Sequence, residues 1–207
     1  MNAQQMIETE EFKRCAEFHG HVCPGLAIGY KSAKAAMERL KEIRAEDEEI
    51  VAIVETDACS ADAVQVLTGC TFGKGNFIYR DYGKMVLTLL SRNTGEGVRV
   101  AIRQGAFAPD EMHQDLMRKV MSGEATEDDK RRFKELHLKR TSDVLEMSVD
   151  KLFEVKNVKL QLPPKARMEP SELCGICGEP AMRTKLEDRE GKKVCRGCAG
   201  QQGETND

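Results

Sequence analysis

Two histidines and a cysteine occupy alternate positions in the short segment from Phe18 to Gly25. They are His19, His21 and Cys23, and they include half of the four histidines of the chain. In an extended backbone, residues i, i+2 and i+4 lie on one face, so these side chains can point the same way. Imidazole nitrogens and thiolates are ligands that zinc and related transition metals prefer. The spacing therefore predicts a metal site or a reactive thiol.

The proline that follows Cys23 indicates where the next helix begins. The residue before a proline is disfavoured in the α region, whereas proline itself is favoured as the first residue of a helix. Cys23 is thus predicted to be the N-cap of a helix beginning at Pro24. At that position the free N–H groups and the positive end of the helix dipole favour a thiolate over a thiol.

A tetrahedral site needs a further ligand, and the next candidates are Cys59, Asp62 and Cys70. If residues 59–70 form a straight helix, its ends lie about 16 Å apart at ~1.5 Å per residue. Two sulfurs on one zinc ion lie at most about 4.6 Å apart. Cys59 and Cys70 are therefore not expected to share an ion. Cys59 is the better candidate, because it follows a predicted strand at the beginning of a helix, where sites tend to collect.

The other candidates have simpler explanations as well. Cys70 is equally well explained as a packed small hydrophobic side chain. Asp62 is either a carboxylate favoured by the helix dipole or a residue that supports a metal ligand. The residues expected to take part in any chemistry at this site are Cys23, Cys59, Asp62 and His19.

Four cysteines near the C-terminus form two Cys-x2-Cys pairs, Cys174 with Cys177 and Cys195 with Cys198. The 17 residues between the pairs fall within the spacing range of a four-cysteine zinc site. Residues 182–194, with a turn near a Glu-Gly pair, fit the hairpin of a zinc ribbon. A module this short cannot bury a core of its own, so the metal must supply its folding energy. Four thiolates leave no open coordination position, which predicts a structural zinc.

The hydrophobic pattern predicts the elements that position these residues. Helices are predicted over residues 3–17, 24–43, 60–67, 109–121 and 126–155, and strands over 50–54, 76–80, 84–92, 98–103 and 158–162. The expected fold is α+β, an antiparallel meander with flanking helices and a small four-cysteine zinc ribbon. His113 and His137 lie on predicted helix surfaces and carry no site signal.

Changes in composition predict the domain organisation. Residues 1–162 form the metal-binding core domain, and the proline-rich residues 163–172 form a linker. The ribbon then occupies residues 173–200, and residues 201–207 form a disordered tail.

The composition excludes several classes of protein. The 35 acidic residues nearly balance the 32 basic ones, so no net field favours nucleic acid or an anionic membrane. No apolar run reaches the roughly 18 residues of a membrane span, and the N-terminus lacks the pattern of a secretory signal. A reducing, cytoplasmic location is expected, in which the eight cysteines bind metal or do chemistry rather than form disulfides.

Three motifs in order along the chain resemble one known family. They are Phe18-His-Gly-His-Val-Cys-Pro-Gly25, Asp57-Ala-Cys-Ser-Ala-Asp-Ala-Val-Gln65 and Thr68-Gly-Cys-Thr-Phe-Gly-Lys-Gly-Asn76. Together they resemble the FmdE family of formylmethanofuran dehydrogenase proteins over about residues 10–160, and a C-terminal zinc ribbon accompanies some of its members. The resemblance implies an α+β core, a homodimer, and a metal site drawn from the histidine–cysteine loop and the Cys59 segment. The family is named after its association with a molybdenum or tungsten enzyme that reduces carbon dioxide to a formyl group.

Three functions are consistent with these features. The first is an accessory subunit or factor of a molybdenum or tungsten redox system, acting within a larger enzyme complex. The second is a free-standing metalloenzyme, in which a metal at His21, Cys23 and Cys59 keeps one position open while Asp62 or His19 handles protons. The third is a regulatory or nucleic-acid-binding protein acting through the ribbon, which the ribbon's mixed charges disfavour. The expected cofactors are zinc in the ribbon and zinc or another divalent metal at the N-terminal site.

Overall fold

The computed structural model describes residues 1–108 and 110–201, which fall into two compact units. The first unit is Met1–Lys165, and the second begins at Ala166. Of the predicted disordered tail, residues 201–207, only Gln201 lies within the described residues, where it ends a helix. No helix of the described residues is long and apolar enough to cross a membrane.

The first unit contains seven helices among the described residues. They are α1 (Ala3–Ile7), α2 (Glu10–His19), α3 (Pro24–Leu40), α4 (Ser60–Thr68), α5 (Glu111–Ser122), α6 (Glu127–Glu146) and α7 (Val149–Leu152). The helix predicted over residues 3–17 is divided at Thr9, whose extended backbone and side chain cap α2 by accepting a hydrogen bond from the Phe12 N–H. The predicted helix end at Gly69 is confirmed, because this glycine is the left-handed C-cap of α4.

Five strands form one sheet in the first unit. They are β1 (Ile50–Val54), β2 (Phe77–Tyr79), β3 (Val86–Ser91), β4 (Gly97–Ile102) and β5 (Phe153–Val158), in the spatial order β2-β1-β3-β4-β5. Neighbours pair antiparallel except β1 and β2, which pair parallel. The predicted α+β class with an antiparallel sheet is thus confirmed. The expected hairpin between β2 and β3 is wrong, because β1 lies between them.

The predicted helix over residues 126–155 continues too far. It ends at Glu146, where Met147 adopts an extended conformation. After the short helix α7, residues 153–158 pair along their whole length with β4, from Ile102 opposite Phe153 to Gly97 opposite Val158. The last strand of the sheet is therefore β5, and no strand forms over residues 159–162.

The core lies between the sheet and α3. Alternate residues of β1 face the helices, so that Ile50 and Ala52 pack with Leu26 of α3. Helix α3 is buried along most of its length, because it packs against the sheet on one side and against α4 and α6 on others. The opposite face of the sheet carries a smaller apolar cluster around Val51 and Leu90. Helix α3 is consequently the fixed element from which the N-terminal cysteine projects.

The second unit is built from short pieces. Strands β6 (Ser171–Leu173) and β7 (Pro180–Met182) pair antiparallel, as do β8 (Leu186–Arg189) and β9 (Lys192–Cys195), and α8 (Arg196–Gln201) follows. The predicted turn lies between β8 and β9, where Glu190 and Gly191 both have positive φ angles. Few apolar side chains of this unit are buried, Val194 among them.

Candidate metal centre

The first metal-ligand candidate, His19, is the last residue of α2. Gly20 follows as a left-handed C-cap with φ 91°, a conformation that strongly favours glycine. The chain then turns through His21, which is exposed. The extended run expected for these residues is wrong, because His19 is helical. The two imidazoles nevertheless lie side by side, with ring centroids 4.4 Å apart.

Cys23 is the N-cap of α3, as its position before Pro24 predicts. Its backbone is extended (φ −149°, ψ 163°), and its Sγ accepts a hydrogen bond from the N–H of Leu26 at 3.3 Å. Cys23 is only 2% exposed. Helix formation at Pro24 therefore fixes the position and direction of this sulfur.

Two glycines of α3 bring Cys59 close to Cys23. A Cβ atom added to Gly29 would lie 2.3 Å from the carbonyl oxygen of Ser60, so only glycine permits this approach of α3 and α4. One turn earlier, a Cβ on Gly25 would lie 3.0 Å from Cys59 Cβ and 3.9 Å from Cys23 Sγ. Cys59 directly precedes α4, so close packing of the two helices places its sulfur beside that of Cys23.

The structure brings the four predicted N-terminal metal ligands together. One ligand atom from each of His19, His21, Cys23 and Cys59 lies within 4.8 Å of those from the other three. Cys23 is buried, His19 and Cys59 are partly buried, and His21 is exposed. Two imidazoles and two thiolates at this separation suit the first coordination sphere of a tetrahedral transition metal.

Asp62, in the first turn of α4, orients one of these ligands. Its Oδ2 atom lies 2.7 Å from Nδ1 of His19, and the Nε2 atom on the other side of the ring lies 3.7 Å from Cys23 Sγ. A metal-binding histidine commonly donates its other ring N–H to a carboxylate, which fixes the ring and raises the basicity of the ligating nitrogen. Of the two explanations for Asp62, the support of a metal ligand matches this geometry.

The two sulfurs of the site differ in their pKa values. A hydrogen bond from the Cys23 thiol lowers the pKa of Cys59 to about 5. The same hydrogen bond, together with burial, raises the pKa of Cys23. Without a metal, the negative charge therefore favours Cys59 rather than the N-cap residue Cys23. A metal that binds both sulfurs displaces the remaining proton.

Cys70 lies apart from this group. It is fully buried, its Sγ is 3.5 Å from the carbonyl oxygen of Ile50, and burial raises its pKa. It packs in the core of the first unit. Its environment is that of a small hydrophobic side chain.

The second cluster of candidate ligands lies in the second unit. The sulfurs of Cys174, Cys177, Cys195 and Cys198 all lie within 4.8 Å of one another. Backbone N–H groups point at them, and those of Cys195, Cys177 and Ile176 lower the pKa of Cys174 to about 6. A cluster of sulfurs that receives backbone hydrogen bonds can hold a metal ion as thiolates.

A second pair of histidines meets without any signal in the sequence. Nε2 of His113 on α5 lies 3.2 Å from Nδ1 of His137 on α6, and His113 is only 4% exposed. The prediction that His113 lies on a helix surface is wrong, because α5 packs against α6. The two residues are 24 positions apart, a separation that no local pattern relates.

Comparisons with known proteins identify similar chains. A family model described as FmdE, of the molybdenum formylmethanofuran dehydrogenase operon, matches residues 18–154. A probable S-adenosyl-L-methionine-binding protein of Archaeoglobus fulgidus is 36% identical, over 90% of this chain and 52% of its own length. This chain thus spans about half of that relative. The crystal structure of an FmdE-like protein of tungsten formylmethanofuran dehydrogenase, from Syntrophus aciditrophicus, is similar as well. Its TM-score is 0.60 at 28% identity, over 98% of this chain and 95% of that one.

Proposed function

This chain belongs to the FmdE family, and we propose that it is a metal-carrying accessory subunit or factor of a molybdenum or tungsten redox system. The observation that carries the proposal is the convergence of His19, His21, Cys23 and Cys59, whose ligand atoms lie within 4.8 Å of one another. The orientation of His19 by Asp62 supports metal binding there.

The proposed ligand set suits zinc, iron and nickel. A metal bound there acts as a Lewis acid. The chain's own residues hold it: Cys23 from the beginning of α3, Cys59 from the beginning of α4, and the two histidines from the end of α2 and the loop after it. Because His21 is exposed, the metal would face solvent or a partner on that side.

The second unit is proposed to hold a structural zinc at its four cysteines. Its strands are three or four residues long and bury little apolar surface, so the ion would supply much of its folding energy. A four-thiolate zinc has no open position and takes no direct part in chemistry.

The redox role is inferred from the family and from the related structure. The family model is described by a molybdenum formylmethanofuran dehydrogenase operon, and the Syntrophus protein is described as similar to FmdE of a tungsten formylmethanofuran dehydrogenase. Molybdenum or tungsten and their pterin would belong to a partner protein of that complex. We further propose a homodimer, and a cytoplasmic location in which cysteines stay reduced.

A free-standing metalloenzyme is the second candidate. It is favoured by the exposure of His21, which leaves one side of the proposed centre accessible. Release of His21 from the metal would open a coordination position, and Asp62 could then accept a proton through His19. Binding of S-adenosyl-L-methionine, after which the Archaeoglobus relative is named, is tested by equilibrium dialysis with the labelled compound.

Metal analysis of the purified chain tests metal binding. We expect two equivalents in the wild type and about one in each of the variants Cys23→Ala and Cys174→Ala. Cys15→Ala is the matched control, because Cys15 is buried and belongs to neither cluster. Full metal content in Cys23→Ala would contradict the N-terminal centre.

Affinity purification tests the accessory role. A tagged chain expressed in its own host is expected to retain molybdenum or tungsten enzyme subunits, and Cys23→Ala to retain fewer. A wild-type chain that purifies alone, yet turns over a substrate with its metal bound, would favour the free-standing enzyme.

A further inference from the structure

The rings of His113 and His137 are joined end to end. Their nearest nitrogens are 3.2 Å apart, whereas the ring centroids are 5.4 Å apart and the planes are inclined by only 20°. Rings stacked face to face would have centroids closer than this. Each neutral imidazole has one N–H donor and one acceptor nitrogen, so a single N–H···N bond joins the two. That bond uses Nδ1 of His137 and leaves its Nε2 for another partner.

This histidine pair is not explained by packing alone. His113 is 4% exposed, and its Nδ1 is buried with no hydrogen-bond partner among residues 1–108 and 110–201. A buried polar atom without a partner is costly. The ring of Phe133 lies beside both imidazoles, with centroids 5.4 Å and 4.9 Å away, so apolar rings fit the same place. The pair therefore serves to direct His137.

Helix packing places His137 at the level of His21. Helix α6 packs against α3, and Lys31 of α3 donates a hydrogen bond of 2.7 Å to the carbonyl oxygen of Leu145. His137 lies eight residues before Leu145, about 12 Å along α6 at ~1.5 Å per residue. His21 precedes Lys31 by a similar stretch of chain. Burial lowers the pKa of His137, and the neighbouring charges of His113 and His21 lower it further.

His21 differs from His19 in its support. His19 is oriented by Asp62, whereas His21 has no hydrogen-bond partner in the described part of the chain. A histidine ligand usually donates its second ring N–H to an oriented acceptor, and losing that acceptor typically weakens metal binding 10- to 100-fold. The end-to-end pair presents such an acceptor, Nε2 of His137, on the side of His21.

We propose that His137 is the positioning residue of His21: it accepts a hydrogen bond from the nitrogen of His21 that does not bind the metal. His113 holds His137 in the required orientation, so that the three imidazoles form one chain of hydrogen bonds. Helix α6 thereby supports the exposed side of the centre, as Asp62 of α4 supports the buried side. The inference rests on the proposed metal centre at His19, His21, Cys23 and Cys59.

Cobalt(II) titration of the full chain, in competition with a chelator, tests the proposal. Cobalt is the probe because its absorption bands distinguish a centre with two sulfurs from one with four. We expect His137→Leu to weaken cobalt binding at the N-terminal centre about 10-fold or more, and His137→Gln, which keeps an acceptor, to weaken it only about 3-fold. His113→Leu should fall between them. Leu138→Gln, an exposed change at the next position, is the matched control.

Each outcome separates the two levels of the argument. Equal cobalt affinity in wild type, His137→Leu and His113→Leu, with cobalt lost in Cys23→Ala, would overturn the role of His137 and leave the metal centre intact. Cobalt retained at the two-sulfur centre in Cys23→Ala would overturn the proposed function itself. If circular dichroism shows that His137→Leu does not fold, His137→Phe takes its place, because it keeps a ring beside Phe133 and removes the acceptor.

Discussion

Nδ1 of His19 lies 2.7 Å from Oδ2 of Asp62, although the two residues are 43 positions apart. The contact joins the last residue of α2 to the first turn of α4, and so it connects the two segments that carry candidate ligands. The side chain of His19 is 11% exposed and that of Asp62 is 34% exposed. Because the carboxylate fixes the ring, Nε2 faces the sulfurs whether or not a metal is bound.

Replacing this carboxylate should weaken metal binding. We expect Asp62→Ala to lower the affinity of the N-terminal centre 10- to 100-fold, because His19 loses both its orientation and the acceptor for its second N–H. Competition with a chelator measures the change. Asp57→Ala is the control, since it removes an exposed carboxylate five residues away. Equal affinities in the two variants would show that Asp62 only stabilises the end of α4.

The close approach of α3 and α4 predicts a second effect. In Gly29→Ala the new Cβ would lie 2.3 Å from the Ser60 carbonyl oxygen, which forces the helices apart. We expect the free energy of unfolding to fall by about 1–3 kcal/mol, although alanine inside a helix is otherwise favoured by about 1 kcal/mol over glycine. Cys59 would move with α4, so metal affinity should fall as well.

Urea denaturation and metal titration measure these two changes. Gly73→Ala is the matched control, because no atom lies within 4 Å of the position where its Cβ would be. An unchanged free energy of unfolding in Gly29→Ala would mean that α3 and α4 are farther apart than in this structure.

The parts of the centre that the sequence predicts are those that local rules determine. Cys23 caps α3 because a proline follows it, and Gly69 ends α4 because the chain there takes a left-handed conformation. Cys59 could be chosen over Cys70 from helix length alone. The α+β class follows from the alternation of helix and strand patterns.

The remaining features depend on contacts between distant parts of the chain. Strand β5 is held by its pairing with β4, about 50 residues earlier, which overrides the helical pattern expected up to residue 155. Strand β2 pairs with β1 rather than with its neighbour in sequence, and the burial of His113 depends on the packing of α5 against α6. No single-sequence pattern expresses these relations.

Cys70 provides a test of the ligand assignment. Cys70→Ala should retain full metal content, because the Cys70 sulfur lies in the core and outside the group of four ligands. We expect a loss of about 1 kcal/mol in stability from the small cavity it leaves. Cys59→Ala should lose the N-terminal metal. Parallel metal analysis and denaturation of the two variants would contradict the assignment if Cys70→Ala were the one to lose an equivalent.

Removal of metal should unfold the second unit selectively. Its strands are three or four residues long, whereas the first unit has a large core around α3 and the sheet, so only the second depends on an ion for its folding energy. With a chelator present, limited trypsin digestion followed by mass spectrometry should show cleavage at Arg183, Lys185 and Arg189, while a fragment of residues 1–165 persists. Cys174→Ala should show the same pattern without a chelator. Resistance of these sites after complete removal of metal would show that the unit is stable on its own.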